Sequence, residues 1–278
     1  MDYLFAAIYG IVEGITEWLP ISSTGHMILL EEFLKMDVSE GFWNLFLVVV
    51  QLGAILAVVL LYWRKLWPFF RKDGKVKIST SKFLLWCKIV LACVPAAVVG
   101  LLFDDKINEL FYNYTTVAIM LILFGVLFLV VETKNNSARP TVTKVSQLSF
   151  QTAFLIGLFQ LIAAVFPGTS RSGATIVGAL MLGVSRTVAA EFTFFLAIPV
   201  MFGASLLKLI KFEEGFTATE GGLLVVGMLV AFLVSVAVIK FLMQYIKGHD
   251  FKVFGYYRIV LGVLVLLYGF FLAAPLTA

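Results

Sequence analysis

Charge is what this chain has least of. Only 14% of its 278 residues are Asp, Glu, Lys or Arg, against about a quarter in a soluble domain, so an ordinary cytosolic enzyme is excluded. Cysteine is nearly absent as well. Cys87 and Cys93 lie six residues apart in one apolar stretch, which leaves no disulfide framework and no cysteine metal cluster. The start, Met1-Asp2, has no positive n-region and no small-residue cleavage site follows, so a cleaved signal peptide is not expected. The formal charge of +4 does not point to nucleic acid, because polytopic proteins gather Lys and Arg in cytoplasmic loops.

Apolar runs fill the space that charge leaves, with 61% hydrophobic residues and 27 Phe. A membrane-crossing helix needs about 20 mostly apolar residues. Six segments qualify: 43–63, 83–103 with only Lys88, 115–131, 189–207 with only Glu191, 222–239 and 259–274. The loops between them set the orientation. Segment 64–82 holds Arg64, Lys65, Arg71, Lys72, Lys75, Lys77 and Lys82 against Asp73 alone, which marks it as cytoplasmic. Segment 104–114, with Asp104, Asp105 and Glu109, falls outside. Segment 133–147 falls inside, 212–221 with Glu213, Glu214 and Glu220 outside, and 247–258 with Lys247, Lys252 and Arg258 inside.

This alternation requires 148–183 to enter and leave on the cytoplasmic face, so it is expected to be a re-entrant helical hairpin turning at Pro167-Gly168-Thr169-Ser170-Arg171-Ser172-Gly173. Residues 1–36 repeat the pattern around Pro20-Ile21-Ser22-Ser23-Thr24-Gly25-His26 and open to the outside. A shift of 147 places Gly10 on Gly157, Glu13 on Gln160, Pro20 on Pro167, Ser22 on Thr169 and Ser23 on Ser170. The expected fold is an all-α polytopic membrane protein, one domain over 1–278. Its six spans and two hairpins form an inverted-topology repeat, 1–132 and 148–274, joined by the cytoplasmic linker 133–147. Broken helices in such repeats meet near the bilayer midplane and build a ligand site.

The polar residues at that depth carry the chemistry. Glu13 and Glu17, four apart, put two carboxylates on one helix face. Intramembrane acids are costly and functional by default, although an outward vestibule could simply solvate them. Beside a polar turn the pair suits a divalent cation, Mg²⁺ first and Ca²⁺ second, held by carboxylates plus phosphate oxygens and water. Ser22, Ser23, Thr24 and Gly25 sit where a half-helix begins, which serves both helix capping and anion binding by free N–H groups. His26 is the one imidazole at membrane depth, His249 lying in a basic loop, and is suited to moving protons. Arg171, between Ser170 and Ser172, is a fixed cationic fork matched to phosphate. Together these groups describe phosphoryl transfer on an amphiphile. Lys88, Lys240 and Glu191 are expected to snorkel near helix ends. Gln51, Gly53, Ala54, Gly203 and Ala204 are expected to pack helices, and Gly10 with Gly14 to touch the other hairpin.

Glu13-Gly-Ile-Thr-Glu17 followed by Pro20-Ile-Ser-Ser-Thr-Gly-His26 resembles the first signature of the bacterial undecaprenyl-diphosphatase family, the bacitracin-resistance proteins, and Pro167-Gly-Thr-Ser-Arg-Ser-Gly-Ala-Thr175 resembles its second. The resemblance implies an inner-membrane enzyme, dependent on a divalent cation, that hydrolyses undecaprenyl diphosphate on the extracytoplasmic side and recycles the lipid carrier of cell-wall synthesis. It implies Ser23 as nucleophile, His26 as its base or acid, Arg171 on the phosphate, and Glu13 and Glu17 on the metal or water. Ser22, Thr24, Gly25, Thr169, Ser170 and Ser172 would supply further phosphate contacts. A covalent phosphoserine and direct attack by water both stay open, and a homodimer is expected from the resemblance alone. The alternative is a lipid-phosphate flippase using the same anion site.

Overall fold

In hydrocarbon every backbone N–H and C=O must be satisfied within its own segment, so long uncharged runs become helices. The structure, a computed structural model, describes residues 1–135 and 139–271, without the side chains of 104, 105 and 108. Its helices are α1 (Asp2–Thr16), α2 (Ser23–Glu31), α3 (Glu40–Leu66), α4 (Thr80–Phe111), α5 (Tyr114–Asn135), α6 (Phe150–Val165), α7 (Arg171–Met181), α8 (Arg186–Lys211), α9 (Ala218–Tyr245) and α10 (Lys252–Phe271). Helices α3, α4, α5, α8, α9 and α10 are the six long and apolar enough to cross a bilayer. The protein is a multi-pass, all-α membrane protein. Their outer faces stay apolar: Ile119, Leu123, Val126 and Val130 form one exposed stripe on α5, and Val225, Leu229 and Leu233 another on α9. A helix that is hydrophobic all round needs lipid on the side that protein does not cover.

Packing follows a common plan in the two halves. The short helix α1 lies against α9 and the short helix α6 against α4, while α3 crosses α8 and α9 and α5 pairs with α10. Glycines allow the closest approaches. A Cβ on Gly10 would meet the Gly227 carbonyl of α9 at 2.5 Å, and one on Gly157 would run into the Ala92 carbonyl of α4. These two positions are 147 apart, the shift read from the sequence. Gly14 also faces α9, at the Ala231 carbonyl, and Gly53 abuts the Met228 carbonyl of the same helix. Gly10 and Gly14 thus contact a long span and not the other hairpin: a small-xxx-small pattern licenses close approach without naming the partner.

Several expectations are corrected. Segment 104–114 is mostly helix, because α4 continues to Phe111; the side chains of Asp104 and Asp105 lie outside the described residues, as do 136–138 of the linker and 272–274 of the last span. Segment 64–82 contains an antiparallel hairpin, β1 (Phe69–Lys72) and β2 (Lys75–Ile78). Its turn is Asp73-Gly74, with φ of 56° and 73°, the left-handed pair that a two-residue hairpin requires. A Cβ on Gly203 would meet nothing within 4 Å, and Ala204 is exposed, so this pair faces outward and joins no helices. Glu191 does not snorkel: it is buried and both its oxygens accept from Lys65 Nζ at 2.8 Å.

Candidate functional site

The two interrupted helices break in the same way. After α1, the chain turns through Pro20 and Ile21 to Ser22, whose φ of 75° and ψ of 105° precede α2. After α6, it turns at Gly168, φ 87°, and reaches Ser170, with φ 67° and ψ 120°, before α7. Gly168 is required there, since a Cβ would strike the Val117 carbonyl of α5 and the backbone is left-handed. Two serines in this conformation are uncommon and cost about 1–3 kcal/mol each, a strain that concentrates at functional sites. The caps correspond at a shift of 148, Ser22 to Ser170, one more than at the glycines of the arms. The turns therefore differ in length by one residue. Their capping differs as well: Ser170 Oγ accepts from the Gly173 N–H at 3.2 Å, whereas the Ser22 side chain makes no cap bond to α2.

The turns meet across a buried ion pair. Arg171 opens α7 and donates Nη2 to Glu17 Oε1 at 3.0 Å and Nη1 to the Thr193 carbonyl of α8 at 2.8 Å. The second oxygen of Glu17 accepts from the Ser23 hydroxyl at 3.3 Å. Ser172 is buried, and its Oγ donates to the Glu17 carbonyl at 3.2 Å. One carboxylate thus joins the first residue of α2 to the first residue of α7. The carboxyl of Glu13 lies against that of Glu17, and its Oε1 is buried with no partner.

His26 is oriented from two sides. Its Nδ1 is 2.7 Å from the Ser22 carbonyl, an acceptor only, so Nδ1 donates; Nε2 then accepts from the Tyr257 hydroxyl of α10, also at 2.7 Å. The rings are parallel within 7°. The family resemblance implies that His26 serves Ser23; in the structure Ser23 bonds Glu17 and His26 bonds Tyr257.

Arg258, counted from the sequence as a cytoplasmic loop charge, is completely buried. Helix α10 begins at Lys252, so Arg258 lies nearly two turns inside the span. Its Nη1 donates to the Pro20 carbonyl at 3.3 Å and its Nη2 to Thr169 at 2.7 Å, Gly168 at 2.9 Å and Met120 at 3.5 Å. Neither Tyr257 nor Arg258 was a candidate from the sequence. The available signal was the helix start: counted from Lys252, both residues fall at membrane depth.

Of the expected site residues, Ser23, Thr24, His26, Ser170 and Arg171 are half-buried, and Glu13, Glu17, Ser22, Gly25, Thr169 and Ser172 are buried. Gly25 packs toward Leu121 and Leu261, a Cβ there coming within 3.0 Å and 3.4 Å of their methyls. The Ser170 and Ser172 hydroxyls lie 3.1 Å apart and are occupied in holding the turns. Ser22 Oγ and Thr169 Oγ1 are buried without partners. Among the described residues no three His, Cys, Asp or Glu side chains converge on one point. Glu13 Oε1, buried without a partner, is the atom of the pair that could meet a cation such as Mg²⁺ beside water and phosphate oxygens.

The sequence model of the family described as bacitracin resistance protein BacA matches residues 6–264. An undecaprenyl-diphosphatase of Desulfitobacterium hafniense is 66% identical over 263 residues, 95% of this chain and 94% of the relative. Undecaprenyl-diphosphatase 1 of Clostridium acetobutylicum is 63% identical over 96% of this chain and 97% of its own length. An undecaprenyl-diphosphatase of Enterococcus faecalis is 57% identical with the same coverage, 96% and 97%.

Proposed function

The chain belongs to the bacitracin resistance protein BacA family, and from that membership we propose how this membrane enzyme, an undecaprenyl-diphosphatase, splits undecaprenyl diphosphate into undecaprenyl phosphate and inorganic phosphate where its two turns meet. The observation that carries the mechanism is the chain Ser23–Glu17–Arg171, with contacts of 3.3 Å and 3.0 Å. Nucleophile, proton acceptor and phosphate-binding cation are linked before substrate arrives.

The terminal phosphate docks against the N-termini of α2 and α7, where free N–H groups and Arg171 favour an anion. Ser23 Oγ attacks its phosphorus and passes its proton to Glu17. The new Oγ–P bond forms as the bond from phosphorus to the bridging oxygen breaks, releasing undecaprenyl phosphate. Arg171 stabilises charge on the transferring oxygens. Water then attacks the phosphoserine and gives its proton to His26 Nε2, displacing the Tyr257 hydroxyl from that nitrogen; the P–Oγ bond breaks, Glu17 returns its proton to Ser23, and His26 passes its proton to the departing phosphate. Tyr257 and the Ser22 carbonyl keep His26 in one tautomer and one orientation. Thr24, Ser22, Thr169 and Ser170 border the phosphate.

Glu13 and Glu17 would hold a divalent cation, Mg²⁺ in preference to Ca²⁺, which supplies neutralisation of phosphate charge when bound. The orphaned Glu13 Oε1 supports this assignment.

The pairs α1–α2 and α6–α7 are re-entrant and enter from opposite faces of a bacterial inner membrane, with the catalytic turns reached from the extracytoplasmic side. Length supports this: 15, 9, 16 and 11 residues rise about 14–24 Å, short of the roughly 30 Å hydrocarbon core. The basic loop around β1 and β2 supports the orientation. The test is Ser23→Ala in detergent with a polyprenyl diphosphate and Mg²⁺. Phosphate release should vanish, and activity within about tenfold of wild type would transfer the attack to activated water.

A further inference from the structure

Arg258 has a role that the catalytic chain does not use. We propose that it is a positioning residue for the hydrolysis, a buried cation that clamps both turns by their carbonyls and so presents Ser23 and Arg171 to one phosphate. The inference rests on the diphosphatase reading given above.

Three observations carry it. The first is reach: the guanidinium bonds Pro20, two residues before the Ser22 cap, and Gly168 and Thr169, immediately before the Ser170 cap. A single rigid fork thus fixes the distance between two helix starts, Ser23 and Arg171, far apart in the chain. A second is strain. Both caps hold left-handed φ angles without a glycine, and such backbone persists only where surrounding contacts over-determine it. Arg258 supplies those contacts on the carbonyls just upstream.

The third is charge. Among the described residues no carboxylate pairs with Arg258; its partners are four carbonyls and the face of Phe124, 5.9 Å from the ring centre. A Cβ on Gly173 would come within 2.9 Å of its Nη1, so the guanidinium lies against the first turn of α7. Burying a cation without a counter-ion is unfavourable. Here the charge adds to the positive end of α7, and a diphosphate is the anion that would offset it. Lysine could keep the charge but, as a single point donor, could not fork to both turns.

The experiment compares Arg258→Lys and Arg258→Gln with wild type in detergent, measuring melting temperature, kcat and KM for a short-chain polyprenyl diphosphate. Both variants should lose at least tenfold in kcat while remaining folded, and only Arg258→Gln, which loses the charge, should also raise KM severalfold. Guanidinium added at low millimolar concentration should raise kcat of a third variant, Arg258→Ala, where potassium does not. A folded Arg258→Lys or Arg258→Gln with kcat within threefold of wild type would overturn the proposal. So would loss of folded protein in both variants, which would assign Arg258 to folding alone. An inactive wild type in the same assay would instead reject the diphosphatase reading itself.

Discussion

Glu17→Gln separates the chemistry of the site from its architecture, because glutamine keeps the shape of the side chain and removes only its charge and basicity. In the native site Glu17 accepts from Arg171 and from Ser23, at 3.0 Å and 3.3 Å, with 7% of its side chain exposed. A hydrogen bond involving a charged group contributes about 1.5–3 kcal/mol and a neutral one about 0.5–1.5. Complete loss of one partner of a buried pair costs about 3–5 kcal/mol. Glutamine retains an acceptor oxygen, and Arg171 retains its bond to Thr193, so the expected loss of stability is about 1–3 kcal/mol. At about 2–4 °C per kcal/mol for a chain of this size, the melting temperature falls by several degrees. Activity should fall further, by about 10²–10⁴, because the proton acceptor is gone. The companion variant is Glu17→Gln with Arg171→Gln. Two neutral amides in contact should melt above the sum of the single effects while remaining inactive, so stability recovers and turnover does not. Turnover in Glu17→Gln within tenfold of wild type, or recovered turnover in the double variant, would reduce Glu17 to a structural partner of Arg171.

Three further outcomes follow from the packing and the topology. Glu13→Gln should raise the Mg²⁺ concentration for half-maximal activity at least about tenfold, the loss that even an outer-shell partner causes; an unchanged Mg²⁺ titration of chelator-stripped enzyme would remove Glu13 from the ligands. Gly14→Ala places a Cβ 2.8 Å from the Ala231 carbonyl and 2.9 Å from Val234 Cβ, and should lower stability by about 1–3 kcal/mol. Gly100→Ala meets nothing within 4 Å and should leave stability unchanged or raise it by up to about 1 kcal/mol; equal melting shifts for the two would contradict the packing of α1 on α9. Cysteines placed at 74 and 217 in a background without Cys87 and Cys93 should react with an impermeant thiol reagent from opposite sides, and labelling of both from one side would overturn the orientation.

Most of the helical framework was legible in the sequence because hydrocarbon leaves a chain so few options. Runs near 20 residues with at most one charge had one available structure, and all six appear as long helices. The hydroxyl-rich turns were legible for the opposite reason, since polar residues at membrane depth have few purposes besides ligands and caps. What remained illegible depends on which group meets which across the fold. Ser23 and His26 are three apart on α2 and could share a task, yet each is taken by a different helix, α1 and α10. Gly10 and Gly14 announced close approach but not that α9 was the neighbour. Arg258 reads from the sequence as a loop charge because it stands near a span end, and only the start of α10 at Lys252 places it inside. The hairpin turn Asp73-Gly74 was present in the sequence, but its flanking lysines and arginines were weighed for sidedness alone.

The position of Arg258 on α10 bears on how the protein is made. Synthesis and insertion run from the N-terminus, so the turn before α2 is in the bilayer early and the turn before α7 much later. Until α10 follows, the Pro20, Gly168 and Thr169 carbonyls lack the donor that they have in the finished fold. Unpaired carbonyls in hydrocarbon are costly, and the two cap strains lack one of the contacts that hold them. Assembly of the catalytic site is therefore a late event in biogenesis. Chains stalled before α10 should be inactive.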